Sequence, residues 1–195
     1  MQIESREVTG VILAGGKSSR MGTDKGLIEF QGEKMIRRTM DVFKGLFKEI
    51  IIVTNLPLDY LDQDAMIVTD IFPGRGPIGG IHTGLFFSSN EHAFFAACDM
   101  PFFNSEFISY MVSRIGKYDI VVPETEKGPQ PLHAIYSRKC LNRIKTLIAE
   151  DRLKVTGFYK GFRTLSIPTK EIARYDPESR MFLNVNTPED LKGAS

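Results

Sequence analysis

The run Val8-Thr9-Gly10-Val11-Ile12-Leu13-Ala14 is short, apolar and β-rich, and it ends in the pair Gly15-Gly16. Two serine hydroxyls, Ser18 and Ser19, and the cations Lys17, Arg20 and Lys25 follow before the next apolar residues begin. A strand that opens into glycines and cations has the layout of a polyphosphate cradle. Without a Cβ, Gly15 and Gly16 let backbone N–H groups come close to an anion, and they can take a positive φ where needed. Lys17, Arg20 and Lys25 supply the charge, Arg as a planar fork and Lys as a compact point. A Walker A loop is excluded: it needs a glycine five positions before a Gly-Lys-Ser/Thr triplet, and Gly16-Lys17-Ser18 has Val11 there. A plain polar turn would also attract Gly and Ser, but it does not require this many cations.

Beyond this stretch, β-rich apolar runs alternate with helical patterns, which predicts an α/β fold with three layers (α/β/α) around a mostly parallel, doubly wound sheet. Strands are expected at residues 8–14, 49–54, 66–69, 93–98, 119–122, 132–137 and 163–167. Helices are expected at residues 35–47, 78–88, 106–115, 139–149 and 187–192. In the first helix Met35, Ile36, Met40, Phe43 and Phe47 recur near helical spacing. The second contains Gly79, Gly80 and Gly84, which weaken it intrinsically and point to close backbone packing. Residues 93–98 are nearly all apolar, as suits a central strand covered on both faces.

A chain of 195 residues and 22.0 kDa suits one domain spanning residues 1–195, long enough to bury roughly two-thirds of its unfolded surface. The formal charge of +1 gives no support for a nucleic-acid or membrane-surface partner. Cys98 and Cys140 lie far apart and outside any metal-ligand spacing, so both read as buried thiols in a reducing compartment. No apolar run approaches the roughly 18 residues of a spanning helix, and residues 1–7 lack a signal-peptide core, so a cytoplasmic location is expected.

Open parallel sheets bind ligands beyond the carboxyl ends of their strands, near the point where strand order reverses. The Gly15-Gly16 loop, Asn55, Asp70 and Asp99 follow the first four strands in turn. A charge placed directly after a buried strand is costly unless it meets a partner or solvent.

Residues 13–25 also fill every specified position of L-A-G-G-x-S-x-R-M-G-x-D-K. The stretch resembles the molybdenum cofactor guanylyltransferases, within the wider group of nucleotidyltransferases that share a Rossmann-like domain. The resemblance implies that Leu13, Ala14 and Gly15 shape the nucleotide site and that Arg20 and Lys25 act on the leaving phosphates. It also implies that the double glycine accompanies use of a guanine nucleotide. Cys98-Asp99-Met100-Pro101-Phe102 resembles the C-D-M-P-F element of the same family, in which the aspartate holds Mg²⁺. Magnesium suits this position chemically, being held by one or two carboxylates together with substrate phosphates. The alternative for Asp99 is a cap on the next turn.

Asp70 precedes Pro73-Gly74-Arg75-Gly76-Pro77-Ile78-Gly79-Gly80, which resembles the family's P-G-x-G-P-x-x-G loop, and the matching aspartate there contributes to the nucleotide site. Gly74, Gly76 and Gly79 satisfy G-x-G-x-x-G as well, but three glycines alone are weak evidence. The alternative for Asp70 is a local role in its turn. Near the end, residues 184–191 resemble the family's N-V-N-T-P-E-D-L element. Asn184 and Asn186 would share one side of an extended segment and contact the second substrate or order the metal, or else cap the following helix.

His82, His92 and His133 fit no triad or metal spacing and are expected to be solvated or hydrogen-bonded. The pairs Phe86-Phe87, Phe94-Phe95 and Phe102-Phe103 are expected to anchor core and loops. Taken together, the resemblance implies a Mg²⁺-dependent nucleotidyl transfer. The terminal phosphate of molybdopterin or molybdenum-molybdopterin would attack the α-phosphorus of GTP and release pyrophosphate. Transient contact with molybdoenzymes or other cofactor-biosynthesis proteins is a further expectation. The alternatives are CMP transfer to molybdopterin, transfer to a sugar or other small phosphate, or a guanine-nucleotide-binding regulator without transfer.

Overall fold

A computed structural model describes residues 4–15, 25–178 and 180–185. The first strand, β1 (Thr9–Leu13), is fully buried. It is followed by a short turn of 3-10 helix, Lys25–Leu27, and by a hairpin of β2 (Glu29–Phe30) and β3 (Glu33–Lys34). Gln31 and Gly32 make the hairpin turn with φ of 52° and 82°, the left-handed pair that a two-residue connection favours. Then come α1 (Met35–Leu46), β4 (Glu49–Val53), β5 (Met66–Val68), α2 (Pro77–Phe87), β6 (His92–Ala97) and α3 (Ser105–Ser113). The chain continues through β7 (Ile120–Thr125), β8 (Gly128–Pro129), β9 (His133–Ser137), α4 (Leu141–Ala149), β10 (Thr164–Pro168) and α5 (Thr169–Ile172). The expected helix at 187–192 lies outside the described residues.

The main sheet runs β10-β7-β9-β6-β1-β4-β5, with β8 paired to β7. β1 pairs parallel with β4 and β6, β4 with β5, and β7 with β10. β9 enters antiparallel between β6 and β7, and β8 is antiparallel to β7, so the sheet is mixed though mostly parallel. From β1 the order goes outward to β4 and β5 and then crosses to β6 on the other flank. That reversal beside β1 is where an open sheet leaves a crevice at its strand ends.

Successive residues of the central strands face opposite layers. Ile12, Phe94 and Ile135 join Phe43 of α1 and Phe107 of α3 in one apolar cluster. Val11, Ile51 and Phe95 join Ile81 of α2 and Leu147 of α4 in the other. The three layers follow from this division. α2 forms despite its glycines because burial from Ile78 to Leu85 outweighs weak propensity. At Gly84 a Cβ would stand 2.6 Å from Val11 Cγ1 and 2.7 Å from Phe95 Cε1, so glycine there brings the helix onto the sheet. Among the described residues no helix is long and apolar enough to cross a membrane.

Candidate active site

The register places four strand ends side by side: Leu13 is opposite Val53 and Ala97, and Val53 is opposite Val68. Backbone bonds carry the ladder one step further, from Ala14 N to Val53 O at 2.9 Å, Thr54 N to Val68 O at 3.0 Å and Cys98 N to Leu13 O at 3.2 Å. The residues just beyond, Gly15, Asn55, Asp70 and Asp99, therefore share one edge of the sheet. Leu13 and Ala14 are buried, whereas Gly15 emerges into solvent. A Cβ on Gly15 would meet no atom of the described residues closer than 3.9 Å. Packing among the described residues does not demand this glycine, and the absence of a Cβ leaves its backbone open to close approach.

A recess opens here between Leu13, Gly15, Asn55, Asp70 and Gly80. α2 points its N-terminus into the recess, with Gly76 at the cap position in a conformation (φ 64°) suited to glycine and Pro77 at the first helical position. The exposed N–H groups and positive dipole end of such a helix favour an anion. Asp70 Oδ1 accepts from Phe72 N at 3.0 Å and from Thr83 Oγ1 at 2.9 Å. The local turn role foreseen for Asp70 is thus present, and Asp70 also lines the recess.

Asp99 is 9% exposed at the end of β6. The cap of α3 is Asn104, whose side chain accepts from Phe107 N at 2.9 Å, so Asp99 does not cap that helix. The Asp99 carbonyl accepts from Val185 N at 2.9 Å, which brings the C-terminal segment to the same edge. Val185 is buried with Phe30 and Met35, and Phe102 lies edge-on to Phe30 with ring centroids 5.6 Å apart. The β2–β3 hairpin, unforeseen in the sequence, thus supports both the loop after Asp99 and the C-terminal segment. Asn184, next to Val185, is exposed.

Lys25 enters the 3-10 turn Lys25–Leu27. Arg20 and Asn186 lie outside the described residues. No group of three or more metal-ligating side chains occurs among the described residues. One nearly buried carboxylate at a strand end fits magnesium shared with substrate phosphates rather than an all-protein cage. The larger groove, about 870 Å³, lies between α1 and α3 and is lined by Val42, Ser109, Tyr110 and Tyr175, on the helix flanks and away from the strand ends.

Two expectations are corrected. His133 is neither solvated nor hydrogen-bonded through its ring: it is fully buried, and neither ring nitrogen has a partner among the described residues. Phe94, Phe103, Phe107 and Phe182 surround it, and burial pushes its pKa down to about 3. His82 is also buried, its Nδ1 has no hydrogen-bond partner among the described residues, and desolvation lowers its pKa. The second correction concerns Phe86 and Phe87, which are 54% and 39% exposed at the end of α2 rather than core anchors. Phe94 and Phe95 are fully buried, as expected, and both cysteines are buried and outside any disulfide.

Residues 10–161 match the family of MobA-like NTP transferase domains. The chain is 40% identical over 189 residues to the molybdenum cofactor guanylyltransferase of Desulfosudis oleivorans, covering 96% of this chain and 94% of that one. It is 39% identical over 193 residues to a probable molybdenum cofactor guanylyltransferase of Natranaerobius thermophilus, again covering 96% and 94%. The fold is similar to the crystal structure of molybdopterin-guanine dinucleotide biosynthesis protein A from Archaeoglobus fulgidus, with a TM-score of 0.82, 25% identity and 96% of each chain covered.

Proposed function

The chain belongs to the MobA-like NTP transferase family, and from that membership we propose that it transfers GMP from GTP to the terminal phosphate of molybdopterin, with or without bound molybdenum. The products are the guanine dinucleotide form of the cofactor and pyrophosphate. One observation carries the reading: the register of β1, β4, β5 and β6 sets Gly15, Asp70 and Asp99 along a single edge, beside the N-terminus of α2.

In the reaction an oxygen of the acceptor phosphate bonds to the α-phosphorus of GTP, the bond from that phosphorus to the α–β bridging oxygen breaks, and pyrophosphate leaves with the electron pair. The nucleophile is already an anion, so no strong general base is needed. Repulsion between two polyanions is the obstacle, and positioning and charge neutralisation remove it. Backbone at Leu13, Ala14 and Gly15 and the N-terminus of α2 bracket the nucleotide, with Asp70 fixed beside them. Arg20 and Lys25 are assigned to the departing pyrophosphate. Asp99 is assigned to Mg²⁺, which when bound orients the α-phosphate and offsets its charge. Asn184, carried to this edge by the bond between Val185 and Asp99, is assigned with Asn186 to the acceptor side.

The test is turnover of the purified chain with molybdopterin and GTP, CTP or ATP, reading pyrophosphate and the mass of the dinucleotide product. Guanine dinucleotide from GTP is expected. A cytidine product, or no product from any triphosphate, contradicts the proposal.

A further inference from the structure

The second turn of α2 holds a residue that the motifs do not touch. Thr83 is fully buried, and its hydroxyl makes two bonds to the loop after β5: it accepts from Ile71 N at 2.9 Å and donates to Asp70 Oδ1 at 2.9 Å. Phe72 N donates to the same Oδ1 at 3.0 Å. One carboxylate oxygen is therefore held from two directions, while Oδ2 takes no hydrogen bond among the described residues. Gly79 lies one turn earlier on the same face of α2. A Cβ there would stand 2.8 Å from Phe72 O and 3.1 Å from Asp70 Oδ2, so the loop closes on the helix only because position 79 has no side chain.

We propose that Thr83 is a positioning residue for nucleotide binding: it acts through Asp70, holding the carboxylate by its Oδ1 at the border of the recess that Asp70 shares with Gly15, Asn55 and Gly80. A serine or threonine hydroxyl suits the task because it donates and accepts at once. Valine has the same shape and does neither. Thr83 is not among the residues that line the recess, so its effect on ligand is indirect, and removing the carboxylate separates an effect through Asp70 from one through the Ile71 amide. The inference rests on the reading of this edge as a GTP site.

The experiment is a double-mutant cycle on GTP affinity, measured by calorimetry with Mg²⁺ for the wild type, Thr83→Val, Asp70→Ala and the double variant, with Thr83→Ser alongside. Thr83→Val is expected to weaken GTP about five- to tenfold, the scale of one lost hydrogen bond. In the Asp70→Ala background the same change is expected to cost less than about twofold, and Thr83→Ser to stay within about twofold of wild type. If Thr83→Val does not fold, Thr83→Ala takes its place in the cycle. An unchanged affinity in Thr83→Val, or an equal loss in both backgrounds, overturns the inference, since a merely structural threonine would act regardless of Asp70. A wild-type chain that binds no GTP overturns instead the reading of the site on which the inference rests.

Discussion

The Val185 amide donates to the Asp99 carbonyl at 2.9 Å, joining residues 86 positions apart (185 − 99) at the end of β6. The strand end that presents the candidate metal ligand is thus clamped by the segment that carries Asn184. Proline at 185 removes the donor. Val185→Pro is expected to lower transfer about tenfold and to cost roughly 1 kcal/mol of stability for the lost bond. Val185→Ala, which keeps the amide and loses only packing against Phe30 and Met35, separates the two effects: its activity per folded molecule should stay near wild type. Equal loss of activity in both variants would show that packing, not the bond, matters.

Gly15 and Gly84 are glycines for different reasons, and alanine tells them apart. At Gly84 the new methyl meets Val11 Cγ1 at 2.6 Å and Phe95 Cε1 at 2.7 Å, so Gly84→Ala is expected to destabilise the fold by roughly 1–3 kcal/mol in denaturant unfolding. At Gly15 nothing described lies within 3.9 Å, so Gly15→Ala should unfold like the wild type and yet bind GTP at least about tenfold more weakly. Normal GTP binding by Gly15→Ala would mean that the ligand does not approach this backbone.

Lys25→Ala is expected to leave a folded protein whose transfer is lowered at least about a hundredfold, as for the loss of one electrostatic stabiliser. The circular dichroism spectrum checks the fold, and pyrophosphate release checks the activity. Near-normal turnover would remove Lys25 from the site.

His133 sets a pH dependence of stability. Its folded pKa, about 3, lies below the ordinary value of 6.5, because burial among phenyl rings opposes the imidazolium. Between pH 6.5 and 3 the unfolded chain takes up a proton there that the folded chain does not, so its contribution is complete above pH 6.5 and is lost as pH falls toward 3. The slope from this residue is at most about 1.4 kcal/mol per pH unit. Urea unfolding across that window should show a shallower decline for His133→Leu than for the wild type. Parallel curves would place the titration elsewhere.

Much of this edge can be read from residues alone, because strand ends announce themselves. An apolar run that stops at a glycine pair or an aspartate marks the end of a strand, and Gly15, Asp70 and Asp99 follow β1, β5 and β6 as expected. The direction of β9 could not be read so, since a buried run of five residues looks the same whether parallel or antiparallel. The β2–β3 hairpin was hidden because each strand is two residues long, too short for any periodicity. Thr83 was hidden for a different reason: its partner Asp70 is 13 residues away, and only the docking of α2 brings them together. His133 looked ordinary because a lone histidine gives no sign of the four rings that gather round it from β6, the loop after Asp99, α3 and the C-terminal segment.

The central claim is that Asp99 serves a metal-bound guanine nucleotide at the shared strand edge. Calorimetric titration of the chain with GTP, CTP and ATP, each with Mg²⁺ and each repeated on Asp99→Ala, tests it most directly. GTP is expected to bind in preference to the other two, with affinity falling at least about tenfold in the variant and the fall vanishing when Mg²⁺ is withheld from both proteins. Equal binding of the three triphosphates, or GTP binding untouched by Asp99→Ala in the presence of Mg²⁺, would contradict it.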